Sequence, residues 1–271
     1  AEYLASLGLS SEAIRVGYDV VDNAYFADGA RAVRASGEMP KINGLPLHQD
    51  MRGQYFLSVS RFIPKKNLLR LLRAYRLFRA GRSDHPFDWP LVLLGDGVER
   101  SRIEAGIEDF GLQDHVILGG FQQAANLPLF YANAGAFVHS STTEQWGLVG
   151  NEAMASGVPV AVSRRCGCVE ELVEDGVTGI LFDPYDEVSM ASALGALASG
   201  HSKRQLAERA KRRIADWDLA RFGRAFREAA EAAAAKPQIP PPLIARAGLE
   251  IAIMQRRKLA KVWMKTMRDI S

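Results

Sequence analysis

Between residues 53 and 200, short apolar runs alternate with helical patterns. The runs are Tyr55–Val59, Leu91–Leu94, Val116–Leu118, Ala136–His139, Pro159–Val162 and Ile180–Phe182. Each is too short for a helix and apolar at successive positions, as a strand buried on both faces must be. The intervening and following segments, Leu68–Arg79, Arg100–Phe110, Leu127–Ala132, Val149–Ser156, Val169–Val173 and Val188–Ala198, have helical spacing. Strands separated by helices can pair in parallel, with the helices covering both faces of the sheet. The expected fold is therefore α/β, with ligands binding beyond the carboxyl ends of the strands. Arg61, Gly95, Phe121 and Glu144 all follow predicted strands, so one edge of the sheet can collect them.

The flanks read differently. Residues 1–30 suggest a helix ending at Gly8, a strand Ile14-Arg-Val-Gly-Tyr18 and an Asp/Asn loop. Residues 31–52 contain Gly37, Pro40, Asn43-Gly44 and Pro46, the composition of a linker. Residues 201–235 are Ala-rich and helical. Lys236-Pro-Gln-Ile-Pro-Pro-Pro cannot continue that helix, because proline removes donors and fixes φ. Residues 243–269 resume a helical pattern. The resulting scheme has segments 1–30, 31–52, 53–200, 201–235 and 236–271.

The run Ser140-Ser-Thr-Thr-Glu144-Gln-Trp-Gly147-Leu-Val-Gly150-Asn-Glu152 carries the chemistry. On one continuous helix, eight residues would separate the two carboxylates by about 12 Å along the axis and turn them apart. A break at Gly147 or Gly150 changes this. Glu144 then lies in the loop after the strand ending at His139, and a helix from near Leu148 carries Glu152 and stops at Gly157. The free N–H groups of Gly147, Leu148 and Val149 face the space between the carboxylates, an anion site at a helix N-terminus. Carboxylates that accept from hydroxyls, with phosphate held between them, suit a sugar nucleotide.

Arg61 and Lys66 follow a predicted strand in a loop containing Pro64. A diphosphate needs such cations, since Arg offers a planar fork and Lys a point charge. Lys65 reads as a solvated surface charge. Gly95-Asp96-Gly97 departs from GxGxxG, because Arg100 stands at the third glycine position, so a dinucleotide site of the NAD type is unsupported. The turn allows close backbone approach to a nucleotide. Phe121 reads either as core or as flanking a base, His139 as a packed core histidine, and Trp146 as pocket wall.

Two cysteines in 271 residues argue for a reducing compartment. Cys166-Gly-Cys168 is too tight for an ordinary disulfide and lacks zinc-site spacing, and the five His form no ligand cluster. No metal or other cofactor is expected. No apolar run reaches the ~18–20 residues of a membrane span. The first residues lack the basic region and apolar core of a signal peptide. Residues 243–271 carry seven Lys/Arg and two Asp/Glu, hence +5, leaving −2 for the rest of a chain whose net charge is +3. Nucleic-acid binding is not indicated.

The run from Glu144 to Glu152 resembles the Glu-x7-Glu motif of the retaining family-4 glycosyltransferases (glycosyltransferase group 1), which have the GT-B fold. Further resemblances occur in the family's order: Leu57–Asn67 to its strand and basic loop, Leu91–Gly97 to its Gly-Asp-Gly turn, Val116–Phe121 to the strand before the base-binding loop, and Gly176–Pro184 to its closing strand. The resemblance spans roughly residues 10–220. It implies that this chain is the Rossmann-like, C-terminal, donor-binding half, residues 1–30 being a remnant of the N-terminal domain. It implies that Glu152 accepts from ribose and Glu144 from the transferred sugar. Arg61, Lys66 and the 147–149 amides would hold the diphosphate, with Gly95 and Phe121 beside the nucleotide. The implied partners are a nucleotide-diphosphate sugar and an N-terminal GT-B domain, and the implied location is cytoplasmic.

Two other classes stay open: a non-catalytic nucleotide-sugar binding module, and another GT-B activity such as a sugar-nucleotide epimerase or phosphorylase. Residues 249–270 align Leu249, Ala252, Ile253, Ala260, Trp263, Met267 and Ile270 roughly along one helical face, with Lys and Arg elsewhere. Such a helix packs on the N-terminal domain or a partner, or lies on the inner face of an anionic membrane.

Overall fold

The computed structural model describes residues 2–81, 89–199 and 203–235. The chain divides into two units, Ala1–Phe226 and Arg227–Ser271. The first holds the sheet and the candidate site. The amphipathic segment 249–270 lies outside the described residues.

Unit one opens with helix α1 (Glu2–Ser6) and helix α2 (Asn23–Ser36), then a hairpin of β1 (Lys41–Ile42) and β2 (Leu45–Pro46). The main elements follow in alternation: β3 (Phe56–Val59), α3 (Leu68–Ala80), β4 (Leu91–Leu94), α4 (Arg100–Asp109), β5 (Val116–Gly120), α5 (Leu127–Asn133), β6 (Ala136–His139), α6 (Leu148–Ala155), β7 (Val160–Ser163), α7 (Val169–Leu172), β8 (Ile180–Phe182) and α8 (Glu187–Ala198). Helices α9 (Lys203–Ala215) and α10 (Leu219–Ala234) close the described chain. No helix among the described residues is long and apolar enough to cross a membrane.

The six strands β3 to β8 form one parallel sheet in the order β5-β4-β3-β6-β7-β8. The chain builds outward from β3 to β5, then returns through α5 to start β6 on the other side of β3. The helices that follow the neighbouring strands β3 and β6 therefore go to opposite faces of the sheet, α3 to one core and α6 to the other, and such a switch point opens a crevice at the carboxyl edge.

Alternation along each strand buries both faces. Leu57, Val92, Leu94, Phe137, Val160 and Val162 point into one core with Phe26 of α2, Phe130 and Tyr131 of α5, Met154 of α6 and Ile214 of α9. Phe56, Leu91, Leu93, Ala136, Val138 and Ala161 point into the other, with Leu71, Leu72 and Phe78 of α3, Ile103 of α4 and Leu194 of α8. This two-sided burial makes the strands read as continuous apolar runs.

Two expectations are corrected at the front of the chain. Ile14–Tyr18 forms no strand, although its residues alternate. Helix α2 occupies Asn23–Ser36, where a loop and the start of a linker were expected. Asp22 caps it, its side chain accepting from the Tyr25 N–H at 3.0 Å. The rest of the 31–52 stretch is irregular apart from a 3-10 turn at Gln49–Met51 and the hairpin, whose turn is Asn43-Gly44.

Candidate functional site

Three strand ends are tied together by backbone hydrogen bonds. Ser60 N–H donates to Leu94 O at 2.9 Å, Gly95 N–H to Gly120 O at 2.7 Å, and Phe62 N–H to Asp96 O at 2.8 Å. Gly95 is obligatory here: its φ is +135° and a Cβ would stand 1.8 Å from the Ser60 carbonyl oxygen. These turns border a cavity of about 550 Å³, lined by Arg61, Gly95, Asp96, Phe121, Gln123 and Val149 among others. Four predicted site residues thus meet: Arg61, Gly95, Phe121 and Val149. Phe121 is 70% exposed, so it belongs to the cavity rim and not to the core. Ser60, also on the wall, has a buried hydroxyl with no hydrogen-bond partner.

The second cluster lies across the switch point. Glu144 follows β6, and its carboxylate takes one ammonium group on each oxygen: Lys65 Nζ at 3.0 Å from Oε1, and Lys66 Nζ against Oε2. Burial alone would raise the Glu144 pKa, but the hydrogen bonds from Lys66 and Lys65 outweigh it and hold the carboxyl down to about 2. The two loops are also joined through the backbone. Thr142 N–H donates to Lys65 O at 2.8 Å, Ser140 Oγ to Lys66 O at 2.8 Å, and Asn67 Nδ2 to Ser140 O at 3.2 Å. On its other side Glu144 N–H donates to Arg165 O at 3.3 Å and Gly167 N–H to Glu144 O at 3.0 Å.

Helix α6 starts as the motif required. Gly147 is its N-cap with φ +106°, and no side chain caps this end. A Cβ there would come 3.2 Å from His139 Nε2. The positive end of α6 is thus without a side-chain acceptor for its first amides. One turn on, Glu152 is mostly buried, and the Tyr131 hydroxyl donates its one proton to Oε2 at 2.8 Å, with Val149 O also in reach at 3.3 Å. Desolvation pushes the Glu152 carboxyl up to about 7, against the lowering effect of the Tyr131 hydrogen bond. Among the described residues, no group of three or more His, Cys, Asp or Glu side chains could hold a metal ion.

Three readings change. Lys65 is not a solvated charge but a partner of Glu144. Trp146 does not form a pocket wall: it is buried, donates to Asn151 Oδ1 at 3.0 Å and stacks on Trp217 at 5.5 Å. His139 is a buried histidine as read, but it also belongs to the site, with Nε2 3.9 Å from Glu144 Oε2. Burial, then Lys66, lowers its pKa to about 3, so the ring is neutral at physiological pH. Cys166 and Cys168 are free and buried thiols; burial pushes Cys168 up to about 12, which makes it a poor nucleophile. Gly147 and Leu148 lie on the α6 side, outside the cavity lined by Arg61. A second cavity, about 380 Å³, is lined by Arg34, Arg52 and Lys203 at the opposite end of the sheet. Arg34 there donates to the carbonyls of Ala132 and Ser156 at helix ends, a structural use of the charge.

Comparison with known proteins fits this geometry. Residues 47–213 match the family described as Glycosyl transferases group 1. A D-inositol 3-phosphate glycosyltransferase of Acidothermus cellulolyticus is 32% identical over 197 residues, covering 70% of this chain and 41% of that protein. The structure of HepE from Anabaena in complex with UDP aligns with a TM-score of 0.66 at 22% identity, over 85% of this chain and 61% of that one. The C-terminal domain of LpcC, a glycosyl transferase group 1 family protein from Francisella tularensis, aligns over 73% of this chain and 99% of that domain, with a TM-score of 0.57 at 20% identity. At these identities the two structures bear on the fold, which matches a Rossmann-like half of GT-B. The chain spans about two fifths of the length of the first curated relatives it matches.

Proposed function

The chain belongs to the group 1 glycosyl transferases, and we propose that it is the donor-binding half of a retaining enzyme that moves a sugar from a nucleotide-diphosphate sugar to an acceptor. The observation that carries this reading is the pair of carboxylates either side of an uncapped helix N-terminus, at the switch point of a parallel sheet. In this reading the nucleoside lies in the 550 Å³ cavity, between the Gly95 turn and Phe121. Glu152 accepts from the ribose hydroxyls and Glu144 from hydroxyls of the transferred sugar. Arg61, Lys66 and the amides of residues 147–149 hold the diphosphate. Their effect grows as the glycosidic bond breaks and charge collects on the leaving group, so the binding energy acts on the transition state. The protein cations carry the charge compensation, and the reaction uses no cofactor. The acceptor is held by an N-terminal GT-B domain, so this chain by itself binds donor and transfers little or nothing. The enzyme works in the cytoplasm.

A thermal-shift screen of UDP-, GDP- and ADP-sugars against this chain tests the reading. One of them is expected to stabilise it. Titration of that donor into Glu152→Ala is expected to show a loss on the order of 1.5–3 kcal/mol, the value of charge-assisted hydrogen bonds to hydroxyls. No stabilisation by any of the three, or unchanged affinity in the variant, counts against the assignment.

A further inference from the structure

The charge balance around Glu144 points beyond the roles just assigned. Lys65 sits beside Lys66, and both ammonium groups converge on one carboxylate. The turn that carries them is fixed twice over. Asn67 adopts a left-handed conformation, φ 59°, and its amide donates both to Ser140 O at 3.2 Å and to Pro184 O at 2.8 Å. The Lys65 carbonyl accepts from Thr142 N–H and, at 3.3 Å, from Thr142 Oγ1. The backbone of Lys65 is thus held, while its side chain reaches Glu144 from a position 35% exposed to solvent. Lys66 is more enclosed, its side chain 12% exposed. One ammonium group would satisfy the charge of Glu144. A second, held on the other oxygen, is in excess unless another anion joins the site.

We propose that Lys65 is a third cation for the donor's diphosphate, exchanging Glu144 Oε1 for a phosphate oxygen when donor binds. The inference rests on the glycosyltransferase reading above. Arg61, Lys65 and Lys66, set against Glu144, leave two positive charges. A nucleotide-diphosphate sugar carries one negative charge on each of its two phosphates, which these two positive charges match at the diphosphate end, Glu152 lying at the ribose end. Without Lys65 the diphosphate end would be one charge short. The exchange also frees Glu144 Oε1 for the hydroxyls of the sugar, so the same movement serves both ends of the donor. When the glycosidic bond breaks, the terminal phosphate gains a further charge. A lysine on a flexible stem can follow that oxygen more closely than a rigid fork can.

The test is calorimetric titration of UDP, GDP and ADP into the chain, carrying forward the diphosphate that binds, with the matching nucleoside as control. Lys65→Met is expected to weaken the diphosphate about tenfold and the nucleoside less than twofold, the low end of a charged hydrogen bond for a partly exposed group. Lys65→Arg is expected to restore most of the affinity. Glu144→Gln, which releases both lysines without removing either, is expected to tighten the diphosphate several-fold, and by less in a Lys65→Met background; an equal gain in the two backgrounds would assign the whole effect to Lys66 and the lost carboxylate charge and overturn the role of Lys65. If Lys65→Met binds the diphosphate like wild type while Arg61→Met binds it tenfold more weakly, the site reading stands and the role of Lys65 falls. If neither variant weakens the diphosphate, the phosphate site itself is misplaced and both conclusions fall together. Far-ultraviolet circular dichroism and a thermal melt of each variant separate lost affinity from lost fold.

Discussion

Acidifying the medium from pH 8 to pH 5.5 should weaken nucleotide-sugar binding by about thirtyfold, through one proton on Glu152. Burial holds that carboxyl near 7, although the Tyr131 hydroxyl already donates to it. To accept from ribose it must be ionised. Two ribose hydroxyls added to Tyr131 favour the charged form and should return the pKa toward its ordinary 4.5 in the complex. At pH 5.5 nearly all of the free protein would carry the proton and little of the complex would. The ratio of the two protonation terms is about thirty, or about 2 kcal/mol at 1.36 kcal/mol per unit. A nucleotide-diphosphate sugar has no group of its own titrating in this window, unlike a free diphosphate, and is therefore the right probe. Calorimetry at four pH values, in buffers of different ionisation enthalpy, measures both the affinity and the proton released, close to one per donor at pH 6. Glu152→Gln should flatten the profile, and Tyr131→Phe, which removes a donor to the carboxylate, should move its midpoint upward. Affinity independent of pH in the wild type, or an unchanged profile in Glu152→Gln, would refute the reasoning. Fold stability has the opposite sign to donor binding. Because the folded pKa is raised, the contribution of Glu152 is fully present below pH 4.5 and is lost as pH rises through 7, on the order of 3 kcal/mol.

Arg61→Ala combined with Lys66→Ala should reduce affinity for the diphosphate by at least about tenfold and leave the nucleoside nearly unchanged, measured by titration; equal losses for both ligands would remove the phosphate role. Gly95→Ala should cost on the order of 3 kcal/mol or more in denaturant unfolding, since its Cβ meets the Ser60 carbonyl oxygen at 1.8 Å in a backbone conformation alanine rarely adopts; a loss under about 1 kcal/mol would show that the β3 and β4 turns can separate.

Strands β4, β6 and β8 fall where the apolar runs placed them, because a strand buried on both faces leaves a sequence signal that needs no knowledge of its neighbours. The extended stretch Ile14–Tyr18 has the same local signal and forms no strand. Among the described residues it has no strand to pair with, and Val16 and Tyr18 remain partly exposed. Helix α2 was hidden for the opposite reason. It buries only Phe26 and Ala30, so its apolar stripe is narrow, and the Asp-Asn that caps it reads equally well as a turn. In the candidate site, the placement of Gly147 and Glu144 before α6 was legible because they lie in one continuous segment. The partnership of Lys65 with Glu144 was not, because it depends on β3 lying beside β6, and sequence order does not reveal that adjacency. Trp146 was misplaced for the same kind of reason: its stacking partner, Trp217, lies beyond α9, and the tryptophan turns inward to meet it.

The Glu144 loop is bonded on one flank to residues 65–67 and on the other to residues 165–167. Anyone hoping to graft a relative's sugar preference onto this scaffold should therefore not expect the segment 140–147 to travel by itself. Transplanted singly, it would arrive with hydrogen-bond donors and acceptors spaced for absent neighbours, and the carboxylate would lose its bearing. The smallest exchangeable cassette is discontinuous, drawn from three places far apart in the gene: 61–67, 140–147 and 165–168. Natural variants that alter the donor should accordingly change these stretches in concert, whereas helices on the outer surface are free to drift independently.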